Sequence, residues 1–281
     1  MSTTTTGHRR WPPAIVLALA WIGLIVVVVA FADLLAPQNY QAMDLRARLS
    51  PPAGFGGSGR HLLGTDELGR DVFSRLLASI RVSMLVGVAG TLIGAVLGTV
   101  LGFLAAHLRG WFDDAVMMLV DAQAAIPFII VALTVIGFFG NTLSLFVVVV
   151  GLYGWQTYAR LARGMALSIN RRGYVTAVVA LGARPARVYL RHVLPNIAGV
   201  LIVNATIGLP EVILLETALS FLGLGIQPPL SSLGNMLSYG RSYLGTAWWI
   251  AVLPGVVLSL TTLAVSLVGD WVRDRMDPSL R

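Results

Sequence analysis

The sequence predicts an all-α integral membrane protein with six transmembrane helices. Hydrophobic residues make up 56% of the 281 residues and charged residues only 12%, whereas a soluble domain carries roughly 25% charged residues. Six apolar runs are each long enough to cross a hydrocarbon core of ~30 Å, and backbone groups at that depth must be satisfied within a helix. The runs are Pro13–Leu35, Val82–Ala106, Ala115–Phe138, Leu143–Ala162, Ile197–Leu219 and Ala247–Val268.

The placement of arginine predicts how these helices are oriented. The net charge is +7, and all twenty Lys and Arg residues are arginine. Thirteen lie in the N-terminus, at Arg109, in the segment Arg160–Arg191 and in the C-terminal tail, whereas seven lie in the alternate segments. Positively charged residues are retained on the cytoplasmic side. We therefore expect both termini in the cytoplasm, and we attribute the pI near 10.5 to topology rather than to nucleic-acid binding.

The first apolar run has an alternative interpretation as a cleaved signal peptide. Arg9 and Arg10 precede the run, and Ala30-Phe31-Ala32 offers a small-residue cleavage site. The run is, however, longer than a signal core of about 7–15 residues. We therefore favour an uncleaved anchor helix, with residues 1–35 forming a cytoplasmic N-terminus and the first span. Cleavage would leave five helices with the same internal topology.

Residues 36–81 are predicted to be an external segment. Its first part, residues 36–64, is rich in proline and glycine, so turns should dominate it. Apolar residues then recur at three- and four-residue spacing over Leu68–Ile80, with charged residues on the other face. Because Thr65–Glu67 suits a capped, acidic first turn, we expect an amphipathic helix lying in the external interface before the second span.

Glycines recur at four-residue spacing along the second span. The stripe consists of Gly90, Gly94, Gly98 and Gly102. Small residues let membrane helices approach each other closely. The stripe therefore predicts packing, either within the subunit or against a second subunit, rather than chemistry.

The segment between the fourth and fifth runs is the most informative part of the chain. A short helix is predicted over Tyr174–Leu181, with Gly182 in the position that follows a helix. Pro185 suits the first turn of a second helix, and Pro195 ends that helix or marks entry to the fifth span. The apolar residues of the first helix cannot all face one direction, so some of them need a partner protein. The alternative is an interfacial or re-entrant helix without a partner.

This segment resembles the "EAA" loop of permeases from ATP-binding cassette (ABC) importers. Ala177, Gly182 and the Leu194-Pro195 ending match that pattern, while Thr176 replaces its acidic residue and Val178 its second alanine. The resemblance implies that residues 163–195 are a coupling loop whose short helix docks in a cleft of an ATPase subunit. It assigns to this loop Tyr174, Val175, Thr176, Ala177, Val178, Leu181, Gly182, Ala183, Arg187 and Pro195.

Three further motifs narrow the resemblance to the dipeptide and oligopeptide permeases of the DppC/OppC type. Leu63–Arg75 is similar to their LGTDxxGRDxxSR signature, Glu216–Pro229 to ExxLSFLGLGxxPP, and Gly269–Pro278 to GDxLRDxxDP. The resemblance extends over about residues 10–281.

The resemblance implies a fold and a set of partners. The fold is an anchor helix plus a five-helix type I importer core at residues 82–270, followed by a cytoplasmic tail at 271–281. A second permease of the DppB/OppB type would complete the pathway, two ATPase subunits would use ATP and Mg²⁺, and an external binding protein would deliver substrate. Dipeptides or oligopeptides are the expected substrates, with nickel, glutathione or another small solute as alternatives. The location implied is a bacterial inner membrane.

Three carboxylates within the predicted spans are candidates for a pathway or a gate, because charged groups in a membrane are usually functional. Asp121 precedes Pro127, which should kink the third span; a structural role for Asp121 is the alternative. Glu211 and Glu216 lie about 140° apart around one helix, so they do not support paired acid–base hydrolysis. The family resemblance implies a gate or subunit-interface role for Glu216, while Glu211 could line the pathway or reach an interface.

The residue inventory excludes several activities. The chain has no lysine, so it lacks the P-loop that holds ATP. It has no cysteine and four scattered histidines, so we expect no thiol catalysis, no metal site, no catalytic residue and no cofactor in this subunit. A proton-coupled secondary transporter and a membrane scaffold remain as alternatives.

Overall fold

The structure, a computed structural model, describes residues 12–57 and 59–276. Within these residues the regular structure is helical, apart from one isolated antiparallel bridge between Thr65 and Asp71. The all-α prediction is therefore confirmed. The predicted cytoplasmic arginines Arg9 and Arg10, and the end of the tail from residue 277, lie outside the described residues. The α-helices are α1 (Pro13–Leu35), α2 (Val72–Leu108), α3 (Gly110–Ala125), α4 (Phe128–Phe139), α5 (Leu143–Gly151), α6 (Trp155–Ile169), α7 (Gly173–Ala180), α8 (Pro185–Val188), α9 (Leu194–Phe221), α10 (Leu233–Gly240) and α11 (Trp249–Met276).

Four helical runs are individually long and apolar enough to cross a membrane. They are α1, α2, α11 and the run Pro185–Phe221, which contains α8 and α9. Two more crossings arise if α3 with α4, and α5 with α6, each form one bent span. The chain thus has the helices of a multi-pass membrane protein, and the predicted six spans agree with the upper count.

Pro127 breaks the third span more sharply than a kink would. Helices α3 and α4 meet at 96°, because Ile126 adopts an extended conformation (φ −105°, ψ 129°), as the residue before a proline tends to do. Helices α5 and α6 meet at 40°. The predicted single helices Ala115–Phe138 and Leu143–Ala162 are therefore corrected to two bent pairs.

The second span begins earlier than predicted, as part of one continuous helix of 37 residues. Helix α2 starts at Val72 after Asp71, whose carboxylate accepts a hydrogen bond from a first-turn backbone N–H at 2.8 Å. Gly69, with φ +72°, keeps the preceding residues out of a helix. Because no glycine or proline interrupts residues 72–86, the amphipathic stretch runs directly into the span. A separate interfacial helix with a first turn at Thr65 is not formed.

The glycine stripe of α2 packs against α5 and α6, so it serves packing within the subunit. A Cβ atom at Gly94 would lie 2.9 Å from the carbonyl oxygen of Gly151, and one at Gly98 would collide with the carbonyl oxygen of Trp155. Only hydrogen fits at these positions. The close backbone approach holds the bent α5–α6 pair against α2.

Helix α1 has its predicted bounds and packs against α2 and α11. The indole N–H of Trp21 donates to the hydroxyl of Thr261 on α11 at 3.1 Å, and Asp33 pairs with Arg81 of α2 at 2.7 Å. Helix α11 continues to Met276, beyond the predicted end of the sixth span, because its charged last turns remain helical.

The fifth span is preceded by an unbroken helical entry. Helix α8 continues through a π-helical segment, Tyr189–Val193, into α9. Pro195 is the second residue of α9 and directly follows the π-helical segment, so the hydrogen-bond pattern changes beside a residue that has no backbone N–H to donate. Of its two predicted roles, Pro195 therefore marks the entry to the span and does not end a helix.

Candidate functional site

Helix α7 is anchored to the helix bundle by its inner face. The side chain of Val175 is only 1% exposed and packs in a cluster with Ile169, Val193 and Ile197. Val178 is partly buried against the same cluster. The short helix is thus seated on the ends of α6 and of the fifth span.

The end of α7 is fixed by the glycine that the sequence singles out. Gly182 has φ +80°, a conformation that glycine adopts without strain. Its N–H donates to the carbonyl of Val179 at 2.9 Å, and the next N–H, of Ala183, donates to the carbonyl of Val178 at 3.3 Å. These two bonds form a Schellman motif, which confirms the predicted C′ role of Gly182. Pro185 opens α8, as predicted.

Two hydrogen bonds tie α7 and its flanks to the fifth span. The Nδ2 group of Asn196 donates to the hydroxyl of Tyr174 at 3.2 Å, and Nδ2 of Asn170 donates to the hydroxyl of Tyr189 at 3.1 Å. In each bond the asparagine lies at the end of a helix, and the tyrosine lies in a different helical element. The first bond joins α7 to α9, and the second joins the end of α6 to the π-helical segment that leads into α9.

The outer face of α7 is apolar and has no contact within the described residues that would cover it. Leu181 is 88% exposed and Val179 is 54% exposed; Thr176 and Ala177 are also exposed. The helix therefore divides its apolar residues between its own bundle and an outside surface, as the sequence predicts. An exposed apolar tip on an ordered helix is typical of a docking element.

Exposed arginines precede and follow α7 along the chain and give this region a positively charged rim. None of them forms an ion pair with any residue in the described ranges. Six other arginines of those ranges do pair with aspartates or a glutamate, namely Arg60, Arg70, Arg75, Arg81, Arg160 and Arg163. The unpaired set is Arg171, Arg172, Arg184, Arg187 and Arg191. Such a rim would favour a partner with acidic groups around an apolar cleft.

Asp121 is paired on the surface of the chain. Its carboxylate accepts a hydrogen bond from Arg160 of α6 at 2.9 Å, and both side chains are more than half exposed. The pair links the bent third and fourth spans. Its pathway role stays a prediction.

Glu216 is fully buried and bonded inside the subunit. Ser220 Oγ donates to Glu216 Oε1 at 2.8 Å, and Thr217 Oγ1 lies 3.4 Å from Oε2. With 0% of its surface exposed, the residue presents no surface to a pathway or a second subunit in this structure. Its predicted gate role stays a prediction.

A buried polar network that sequence reasoning missed joins the first motif and the start of α2 to the segment that follows the second motif. Arg75 of α2 pairs with Asp66 and approaches Ser231 Oγ at 3.5 Å, while Ser79 Oγ donates to Ser231 Oγ at 2.8 Å. One turn further on, Ser83 Oγ accepts from a backbone N–H of the same loop at 3.1 Å. The four-residue spacing of these α2 residues was the available signal, because it places them on one face.

Glu211 lines a cavity in the membrane-spanning part of the chain. The cavity has a volume of about 150 Å³ and lies between α2, the start of α6 and α9. Its polar lining residues are Thr91, Tyr153, Thr157, Tyr158, Asn204 and Glu211. The structure therefore separates the two glutamates of α9: Glu216 points into the subunit, whereas Glu211 is accessible.

Comparisons with known proteins agree with these features. A protein family described as binding-protein-dependent transport system inner membrane component matches residues 98–281. The chain is 38% identical to the di/tripeptide transport system permease protein DppC of Pseudomonas aeruginosa (strain UCBPP-PA14), over 94% of this chain and 87% of that protein. It is 36% identical to the oligopeptide transport system permease protein OppC of Escherichia coli (strain K12), over 98% and 89%.

A solved structure shares the fold. It is described as inward facing conformations of the MetNI methionine ABC transporter, in the CY5 native crystal form. The match has a TM-score of 0.54 at 22% identity, and it covers 73% of this chain and 96% of that chain. At this identity the likeness concerns the arrangement of helices alone.

Proposed function

The chain belongs to the family of binding-protein-dependent transport system inner membrane components, and we propose that it is a permease subunit of an ATP-driven (ABC) importer of dipeptides, tripeptides or oligopeptides. The names of relatives that align with nearly the whole chain support the peptide substrate. The observation that carries the coupling part of the proposal is helix α7, anchored inward by Val175 and exposed outward at Leu181.

The coupling loop, residues 163–195, docks on a separate ATPase subunit. The apolar tip of α7 enters a cleft of that subunit, and Arg187 belongs to the surrounding positive rim. Because the sequence has no P-loop lysine, ATP and Mg²⁺ are bound and used by the ATPase subunits. Closure of the ATPases then moves α7, and the hydrogen bond to Asn196 passes the motion to the fifth span.

The membrane core, residues 82–270, supplies half of the translocation pathway. A second, homologous permease supplies the other half, and an extracytoplasmic binding protein delivers the peptide. Of the carboxylates in the spans, Asp121 and Glu211 are accessible and Glu216 is not. We assign the pathway role to Glu211 and a positioning role within the subunit to Glu216.

The orientation follows the distribution of arginine. With the α7 face and its arginine rim in the cytoplasm of a bacterium, both termini are cytoplasmic and residues 36–81 are external. Residues 271–281 then form a cytoplasmic tail.

Reconstitution in proteoliposomes tests this function. The chain, a second permease and the two ATPases are assembled, a peptide-binding protein is added, and uptake of a radiolabelled tripeptide is measured. We expect ATP-dependent uptake by the complete assembly and none by the chain alone. Uptake by the chain alone, driven by a proton gradient, would identify a secondary transporter and contradict the proposal. Uptake of a non-peptide solute with no peptide uptake would contradict the substrate class.

A further inference from the structure

Glu211 is a carboxylate without a cation in the middle of a spanning helix. It lies ten residues before the end of α9, which is about 15 Å along the helix axis. It makes no hydrogen bond and no ion pair within residues 12–57 and 59–276. An ionised side chain at that depth is costly unless something pairs with it, so the arrangement calls for a cationic partner from outside the chain.

The hydroxyl of Tyr158 in the same cavity is not fully satisfied within the described part of the chain. The side chain is 3% exposed, and its oxygen is buried without a hydrogen bond of good geometry in the described part of the chain. The side chain of Asn204 is its polar neighbour in the cavity. A buried hydroxyl that forms no hydrogen bond destabilises the protein, and a ligand bound beside Glu211 would satisfy it.

The chemistry of the lining selects one kind of ligand. The cavity holds one carboxylate together with oxygen acceptors from Tyr158, Thr157 and Asn204, and no arginine, lysine or histidine lines it. An ammonium group has three N–H donors and a positive charge, which this set satisfies. A carboxylate would be repelled by Glu211 and would find no cationic side chain in the lining. We propose that Glu211, Tyr158 and Asn204 form a transient site for the protonated amino terminus of the peptide in transit, an inference that rests on the proposed peptide-import function.

The position and size of the cavity fit a step along a pathway. Glu211 shares one face of α9 with Asn204, Ile207 and Leu214, and all four are at least partly exposed, so this face looks away from the subunit's own core. A volume of about 150 Å³ is below the ~300–1,000 Å³ of sites that enclose a whole ligand. It accommodates a terminal group, while the rest of the peptide extends along the face.

The test compares a peptide with its N-acetylated form, which keeps the sequence and loses the charge. Uptake of trialanine and of N-acetyl-trialanine is measured in the complete reconstituted assembly, with the same binding protein throughout and each peptide saturating it. Because the binding protein is the same throughout, any difference in the uptake ratio between variants is caused by the substitution in the permease. The measured quantity is the uptake of trialanine divided by that of N-acetyl-trialanine. We expect Glu211→Gln to lower this ratio about tenfold, because a charge-assisted hydrogen bond is lost. Tyr158→Phe should lower it about threefold.

Matched variants separate this role from a structural one. Glu211→Asp keeps the charge and should keep the ratio. Thr262→Val removes a hydroxyl of α11 that bonds only its own helix and should leave the ratio unchanged. Two results together would overturn the inference, provided that ATPase activity and assembly are intact. Glu211→Gln would lower the uptake of both peptides equally, and Tyr158→Phe would leave the ratio unchanged. Glu211 would then pair with a group of another subunit in the complex. If the wild-type assembly hydrolyses ATP and imports neither peptide, the proposed function itself fails.

Discussion

The side-chain amide of Asn196 donates a hydrogen bond to the hydroxyl of Tyr174 at 3.2 Å. Tyr174 lies in the first turn of α7, and Asn196 lies in the first turn of α9, next to Pro195. The same amide also bonds the carbonyl of His192 at 2.6 Å, which fixes its direction. The bond is therefore a direct connection between the proposed docking helix and a membrane-spanning helix.

Removing this hydrogen bond should uncouple ATP hydrolysis from peptide transport. In Tyr174→Phe the ring stays and the acceptor is lost, at a cost of about 1 kcal/mol. We expect the assembled complex to keep its ATPase activity while the number of peptides imported per ATP falls several-fold. Peptide uptake and phosphate release, measured on the same proteoliposomes, give this ratio.

The partner substitution provides the control. Asn196→Ala should also lower the number of peptides imported per ATP. The double variant should import as many peptides per ATP as Asn196→Ala alone, because the two changes remove the same hydrogen bond. Additive effects of the two changes would argue against a shared connection.

The left-handed conformation of Gly182 gives a second prediction. Gly182→Val places a β-branched residue at φ +80°, which is strongly disfavoured, whereas Gly182→Asn tolerates that conformation. Space at the position is open, since no atom lies within 4 Å of a Cβ there. Gly182→Val should therefore abolish most of the uptake with membrane insertion intact, and Gly182→Asn should retain more of it. Equal uptake by both variants would contradict the role of this turn.

Close packing of α2 against α6 gives a third prediction. Even the methyl group of Gly98→Ala would collide with the carbonyl oxygen of Trp155, and overpacking of this kind costs about 2 kcal/mol. We expect a lower unfolding temperature in detergent. Gly23→Ala in α1, where no atom lies within 4 Å of the added Cβ, is the matched control and should be neutral or slightly stabilising.

Burial of Glu216 gives a fourth prediction. Glu216→Ala would leave a cavity and strand the hydroxyl of Ser220, which together should reduce stability by about 3 kcal/mol. Glu216→Gln retains an acceptor oxygen and should reduce the stability by a smaller amount. Denaturant unfolding in detergent measures both values. A stable Glu216→Ala variant with reduced uptake would instead favour the gate role that the sequence suggests.

Much of the fold could be predicted from sequence because the deciding signals are local. The apolar run of α1 gives its bounds directly, and Pro127 and Gly182 act on the backbone at their own positions. The turn at Gly182 was therefore predicted, whereas at Pro127 only a kink was predicted, because the size of the 96° bend between α3 and α4 depends on packing.

The relationships that were missed depend on residues far apart in sequence. Arg75 meets Ser231 across 156 positions, and only the fold brings them together. In the same way, the spacing of Glu211 and Glu216 indicated different faces, but not which of the two would be buried. The cavity residues Tyr158 and Asn204 carried no sequence motif, so a span-by-span analysis could not group them with Glu211.

Cross-linking from the tip of α7 tests the central claim most directly. The chain has no cysteine, so Leu181→Cys introduces a single thiol at the most exposed apolar position of the coupling loop. The transport-active complex is treated with a short thiol-to-amine cross-linker, and products are identified by mass spectrometry. Leu34 is 82% exposed at the end of α1 that we propose to be external, and it supplies the control variant, Leu34→Cys. We predict a cross-linked product between the Leu181→Cys variant and an ATPase subunit, with a yield that changes when ATP is added. The Leu34→Cys variant should give no product with the ATPase. A transport-active complex in which the Leu181→Cys variant gives no product with the ATPase would contradict the account.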